Sequence, residues 1–166
     1  MRQKNSRDSD GTVTEIEDVL QRNYRLNMSC VLNEFISLKT RLEYVTIHRA
    51  SNTPEKGMLF SQDLIFKPKS SPFDLSLRFA LFDTDSYDTR IYTFESNALY
   101  VFAVPAYYYQ GSRAYVLLRY SFWRSCDVWI KYGVFLYENR SSISSGAEQI
   151  TGSRKSDLLI QLRISL

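Results

Sequence analysis

A chain of 166 residues is long enough for one domain with a sizeable core, and a net charge of +3, with 21 basic and 18 acidic residues spread along it, offers no basic patch for nucleic acid. The 12 Tyr and 10 Phe against 4 Pro and 6 Gly favour strands, and the longest nearly apolar run, Ala98 to Tyr109, contains Pro105 and falls short of the roughly 20 residues that a helical membrane span needs. Cys30 and Cys126 lack zinc or redox spacing, and both fall on apolar rows, where packing is the expected role.

Met1 to Asp10 carries basic residues but no apolar h-region, so it is not a secretory signal. Residues 1–21 read as a flexible polar segment and residues 22–166 as a β region. In that region Tyr24, Leu26, Met28, Cys30 and Leu32 alternate with Arg25, Asn27, Ser29, Val31 and Asn33, the period-two pattern of a strand with one apolar face. After a corner at Asn33-Glu34, Ile36, Leu38, Leu42 and Tyr44 share a face with Thr40, while Ser37, Lys39, Arg41 and Glu43 take the other. A turn cluster at Ser51-Asn52-Thr53-Pro54 leads to Met58, Phe60, Leu64 and Phe66, with Gln62 among them. Beyond Pro68 to Pro72, the row Phe73, Leu75, Leu77, Phe79 and Leu81 opposes Asp74, Ser76, Arg78, Ala80 and Phe82.

Asp83 to Asp88 opens an excursion, after which Arg90 to Phe94 and Ala98 to Ala106 read as two further strands joined at Glu95-Ser96-Asn97, with faces that periodicity does not separate. The pattern recovers after Gln110-Gly111-Ser112, where Val116, Leu118, Tyr120 and Phe122 oppose Tyr115, Leu117, Arg119 and Ser121. A corner at Arg124-Ser125 precedes Val128, Ile130, Tyr132, Val134 and Leu136, which face away from Asp127, Trp129, Lys131 and Phe135. The Ser- and Gly-rich loop Glu138 to Ser156 precedes a closing strand that alternates Leu158, Ile160, Leu162, Ile164 and Leu166 with Leu159, Gln161, Arg163 and Ser165.

These segments predict an all-β fold, an antiparallel meander of about nine strands forming a partial or small outer-membrane-type barrel. Short connections alternate with long ones, as expected when turns line one rim and loops the other. An eleven-residue strand rising about 3.3 Å per residue and tilted by roughly 40° climbs about 27 Å, close to the roughly 25 Å apolar band of such barrels. On this reading Leu75, Leu77, Phe79, Val128, Ile130, Leu162 and Ile164 face lipid, and Arg41, Arg78, Arg119, Lys131 and Arg163 face the lumen. Those charges either line a path for a hydrophilic solute or fill the interior by pairing with carboxylates. Tyr and Phe near strand ends fit interfacial girdles. The competing reading is a soluble β-barrel or sandwich that binds an apolar ligand inside, with the same rows turned inward.

The stretches Leu77-Arg78-Phe79-Ala80-Leu81-Phe82-Asp83-Thr84-Asp85-Ser86-Tyr87-Asp88-Thr89-Arg90-Ile91-Tyr92, Val104-Pro105-Ala106-Tyr107-Tyr108, Leu118-Arg119-Tyr120 and Trp129-Ile130-Lys131-Tyr132-Gly133 resemble outer-membrane β-barrel proteins of Bacteroidetes-type bacteria, a family often named from an N-terminal helix-hairpin-helix region. Ser144 to Gly152 and Gln161-Leu162-Arg163 fit the same resemblance. It implies an outer-membrane location, a lipid bilayer and the barrel-insertion machinery as partners, and a longer parent whose distal part this chain represents. The helix-hairpin-helix region does not occur here, so its nucleic-acid association does not carry over. Leu166 departs from the aromatic end residue that the resemblance implies.

No catalytic constellation or cofactor motif emerges. His48 is the only histidine, without the nucleophile or carboxylate pair that acid-base work needs. Asp83, Asp85 and Asp88 are weak candidates for a hard cation, with loop-shaping hydrogen bonds to Ser86 and Thr84 as the plainer expectation. Gly133 and Gly146 read as backbone accommodations, since no Gly-rich strand-to-helix motif surrounds them.

Overall fold

The computed structural model describes residues 2–7, 14–49, 53–123, 126–138, 140–143 and 149–165. Apart from the wholly polar β1 (Arg2–Arg7), alternating apolar and polar residues produce strands β2 (Thr14–Val31), β3 (Ile36–Arg49), β4 (Glu55–Phe66) and β5 (Phe73–Thr84). Two-residue strands β6 (Ile91–Tyr92) and β7 (Ala106–Tyr107) follow, then β8 (Gln110–Trp123) and β9 (Cys126–Tyr137). The short β10 (Ser142–Ile143) and β11 (Ile150–Thr151) precede β12 (Arg154–Ile164). Eight strands form one antiparallel sheet in the order β1-β2-β3-β4-β5-β8-β9-β12. Among the described residues β12 pairs only with β9, so the sheet is an open meander.

The all-β meander is as the alternation predicts, but two segments differ. Arg90 to Phe94 and Ala98 to Ala106 do not join the sheet: Ile91-Tyr92 and Ala106-Tyr107 pair as a separate two-stranded ribbon, followed by an isolated bridge between Glu95 and Ala103. Residues 85–109 are therefore one long connection between β5 and β8. In addition β2 starts at Thr14, well before Tyr24, and β1 lies beside it, so much of the stretch assigned to a flexible 1–21 segment is in the sheet. The Ser51-Asn52 turn, the Arg124-Ser125 corner, Gly146 and Leu166 lie outside the described residues.

Absorbing 85–109 into one connection sharpens the rim asymmetry. On one rim are the connections 32–35 and 67–72. The first turn is an Asx turn, with Asn33 Oδ1 accepting from the Phe35 and Ile36 amides at 2.9 and 2.8 Å. Lys67 N donates to Phe35 O at 2.8 Å and ties it to the next turn. Of the described residues, the opposite rim carries 53–54, 85–109, 140–143 and 149–153.

Burial follows the pleat. In β5 the residues Ser76, Arg78, Ala80, Phe82 and Thr84 are buried, whereas Leu77, Phe79, Leu81 and Asp83 between them are exposed. The core lies between the first of these faces and the excursion: Phe82, Tyr107, Phe135 and Tyr137 meet edge to face and stacked, over Val45, Leu59, Ala80 and Ile91. A second cluster joins Ala98 to Tyr115, Leu117 and Trp129. Phe82, Phe135 and Tyr137 thus belong to a core, not to a girdle.

Candidate functional site

The buried face is organised around one carboxylate that the excursion delivers to the sheet. Glu95 is held by a bridge to Ala103 across its own loop, and its side chain is 1% exposed. Arg113 of β8 donates Nε to Glu95 Oε1 and Nη2 to Oε2, both at 3.0 Å. Lys131 of β9 donates Nζ to Oε2 at 2.8 Å, and the Tyr107 hydroxyl donates to Oε1 at 2.9 Å. Arg113 also reaches Asp157 of β12 at 2.6 Å, and its guanidinium stacks 4.4 Å from the centroid of Phe135.

Burial alone would raise the Glu95 carboxyl, yet hydrogen bonds and charge from Arg113 and Lys131 outweigh it and hold the group below its ordinary value. Tyr107 moves the other way. Desolvation, reinforced by the neighbouring Glu95 charge, pushes its hydroxyl well above the usual phenol range, so it stays a donor.

The cations expected to line a lumen hold the excursion or are tied into networks beside it. Arg78 donates to Phe94 O at 2.6 Å while pairing with Asp63, and Arg41 donates to Tyr92 O at 3.0 Å while pairing with Glu43. Gln161 of β12 donates to Leu99 O at 3.1 Å. Arg119 and Arg163 both bind Asp127, and Arg119 also binds Asp74. Backbone carbonyls of an irregular loop need donors when buried, and these long side chains supply them.

On the opposite face, Leu77 is 37% exposed, Phe79 49%, Ile130 40%, Leu162 56% and Ile164 62%, with Leu75 and Val128 partly covered. The register aligns Cys30, Leu38, Leu64, Leu77, Val116, Tyr132 and Leu158 in one row across the strands from β2 to β12. Towards the short-turn rim, Phe73 and Tyr120 stack at 4.8 Å and Tyr120 meets Phe122 at 6.0 Å. Cys30 is exposed on this face, not packed within a core.

The three aspartates do not converge. Asp83 is exposed at the end of β5, paired in register with Met58. Asp85 Oδ2 accepts from Lys56 N at 2.9 Å, and Asp88 pairs with Arg49. Among the described residues no group of three or more His, Cys, Asp or Glu could hold a metal. His48 is exposed near the end of β3, opposite Leu20. Glu95 was legible as a turn residue but not as the hub; the available signal was that it is the only acidic residue between Asp88 and Asp127, just ahead of the apolar run Ala98 to Tyr109. Among the described residues no helix is long and apolar enough to cross a membrane, a criterion that does not bear on strands. The chain matches no protein-family model, no curated protein and no solved structure.

Proposed function

We propose that this chain is a section of the wall of a bacterial outer-membrane β-barrel, non-enzymatic, with an interior filled by its own 85–109 connection. One observation carries the reading: an exposed apolar face, with the hydrogen-bonded Thr40–Gln62 pair set into it, runs across the strands from β2 to β12 while arginines, a lysine and carboxylates are buried on the other side. Exposed apolar patches of that extent mark a surface meant for something other than water. Hydrocarbon suits it because the backbone polar groups within the sheet are paired between strands. The short-turn and long-loop rims support the same reading, as do the aromatics near one rim. The resemblance to the helix-hairpin-helix-named family points the same way and carries insertion by the barrel-assembly machinery with it. Among the described residues the edge of β2 beyond Val19, where β1 no longer pairs with it, and the free edge of β12 leave room for further strands of a larger barrel.

The filled interior favours an occluded, structural wall over an open pore, since Glu95, Arg113, Lys131 and Tyr107 sit where a solute path would run. Appending an export signal and expressing the chain in a Gram-negative host tests this. Fractionation with the outer membrane and heat-modifiable gel mobility are expected. Recovery as a soluble monomer without detergent would replace the proposal with a soluble sheet whose apolar face takes an apolar ligand.

A further inference from the structure

The excursion does not cover the whole charged face. Between its start and strands β2 and β3 remains a recess of about 470 Å³, mostly walled in, with Gln21, Asn23, Arg25, Arg49, Arg90 and Tyr92 around it and the carboxylates Glu43 and Asp88 also in its wall. Its volume falls in the range of roughly 300–1,000 Å³ used for small ligands. The floor is apolar and dry, formed by Val19, Val45, Ile47 and Ile91, all 7% exposed or less.

Charge around the recess does not cancel among the described residues. Arg25 and Arg41 converge on the single carboxylate Glu43, with Arg25 donating to both of its oxygens at 3.0 and 2.8 Å. Arg49 pairs with Glu55 and Asp88. Arg90 is held mostly by neutral groups: it donates to Tyr92 Oη at 2.9 Å and Tyr87 O at 2.8 Å, lies 4.2 Å from the Tyr87 ring centroid, and comes no closer than 3.9 Å to an Asp88 oxygen. Among the described side chains that line the recess, three guanidiniums (Arg25, Arg49 and Arg90) thus face two carboxylates (Glu43 and Asp88). Two side-chain amides, Gln21 and Asn23, share one 3.3 Å hydrogen bond and keep further donors and acceptors turned outward.

We propose that this recess binds a small hydroxylated organic monoanion of the sugar-acid class. The geometry assigns the carboxylate to the terminal nitrogens that the Glu43, Tyr92 and Tyr87 hydrogen bonds do not use, Nη1 of Arg25 and Nη2 of Arg90, each a charge-assisted donor. The hydroxyls fall to the amides of Gln21 and Asn23, and the C–H face of the ring to the apolar floor and the half-exposed ring of Tyr92. The site is on the side of the sheet away from the exposed apolar face, so it does not depend on what covers that face.

Titration calorimetry of the folded full chain, in detergent or in buffer according to where it fractionates, tests this with D-glucuronate, D-glucose and inorganic phosphate. Glucuronate is expected to bind at least tenfold more tightly than either of the others. Arg25→Gln and Asn23→Ala are each expected to weaken it severalfold or more, with an unchanged near-ultraviolet circular dichroism spectrum. No heat from glucuronate overturns the proposal. So does equal binding of glucose, which removes the anion requirement, or of phosphate, which removes the hydroxyls. An affinity that neither variant moves overturns it as well.

Discussion

The guanidinium of Arg113 lies directly over Gly133 on the neighbouring strand: a Cβ built on that glycine would stand 2.5 Å from Nη2 and 2.7 Å from Cζ. Gly133 is paired in register with Tyr115 on one side and Asp157 on the other, so the missing side chain opens a slot in which Arg113 reaches Asp157 and Glu95 together. A flexible arginine tip could step aside from a methyl group, but this one is fixed by two carboxylates and the Phe135 ring. Gly133→Ala is therefore expected to cost about 1–3 kcal/mol through overpacking, read as a lower urea midpoint at unchanged slope. Arg113→Ala in the same background should erase the difference between glycine and alanine.

Removing the carboxylate at the hub has a larger effect. Glu95→Gln leaves Arg113 and Lys131, each about 2% exposed, without their shared counter-charge. Breaking a buried ion pair from one side costs about 3–5 kcal/mol. Because Glu95 belongs to the 85–109 connection and its partners to the sheet, the loss should release the loop before the sheet unfolds. Limited proteolysis is expected to cut within 85–109 in the variant while β8 and β9 stay protected; equal resistance of both proteins would deny Glu95 this anchoring role.

The same hub sets a pH dependence with a definite sign. The folded Glu95 carboxyl is held below its unfolded value, which is about 4.3 for glutamate. Its contribution is thus fully present above that unfolded value and is lost as pH falls through the lower folded one. Tyr107 is raised, so its contribution is present below the unfolded phenol value of about 10 and fades only at higher pH. Denaturation midpoints taken from pH 7 down to 3 should fall for the parent protein, and the decline should be shallower in Glu95→Gln.

How much of this was legible varied with the chemistry of each segment. Phe73 to Phe82 alternates so cleanly that its faces follow from sequence, and burial reproduces that alternation residue by residue. The run Ala98 to Tyr109 is apolar at every parity, so it offers no face to read, and its length and aromatic content imitate a strand. It is an irregular cover instead, with Tyr100 and Tyr109 at positive φ (62° and 65°), and with the Leu99 carbonyl taken by the Gln161 side chain while those of Ala98, Ala103 and Pro105 accept from backbone amides of the excursion itself. Arg41, Arg78 and Lys131 were legible as one row, but not their targets. Which carbonyl an arginine reaches depends on a fold-back across the sheet that no local period encodes. The early part of β2 was missed because Glu15, Glu17 and Asp18 obscure any apolar row there.

A charge placed on either face of β5 separates the two surfaces. Leu77 sits midway along the strand, exposed, between Leu64 and Val116 in register. If hydrocarbon covers that face, Leu77→Arg should cost about 2–4 kcal/mol, the range for a cation near the bilayer midplane. The outer-membrane fraction and the heat-modifiable band should both diminish. Leu81→Arg, one turn of the pleat pair nearer the long-loop rim, should cost less, because the penalty falls towards the interface. If water meets the face instead, both arginines are surface substitutions worth within about 0.5 kcal/mol, and the gel mobility of the two variants should match the parent. A position-dependent loss, larger at Leu77 than at Leu81, is the outcome that only a bilayer around the sheet produces.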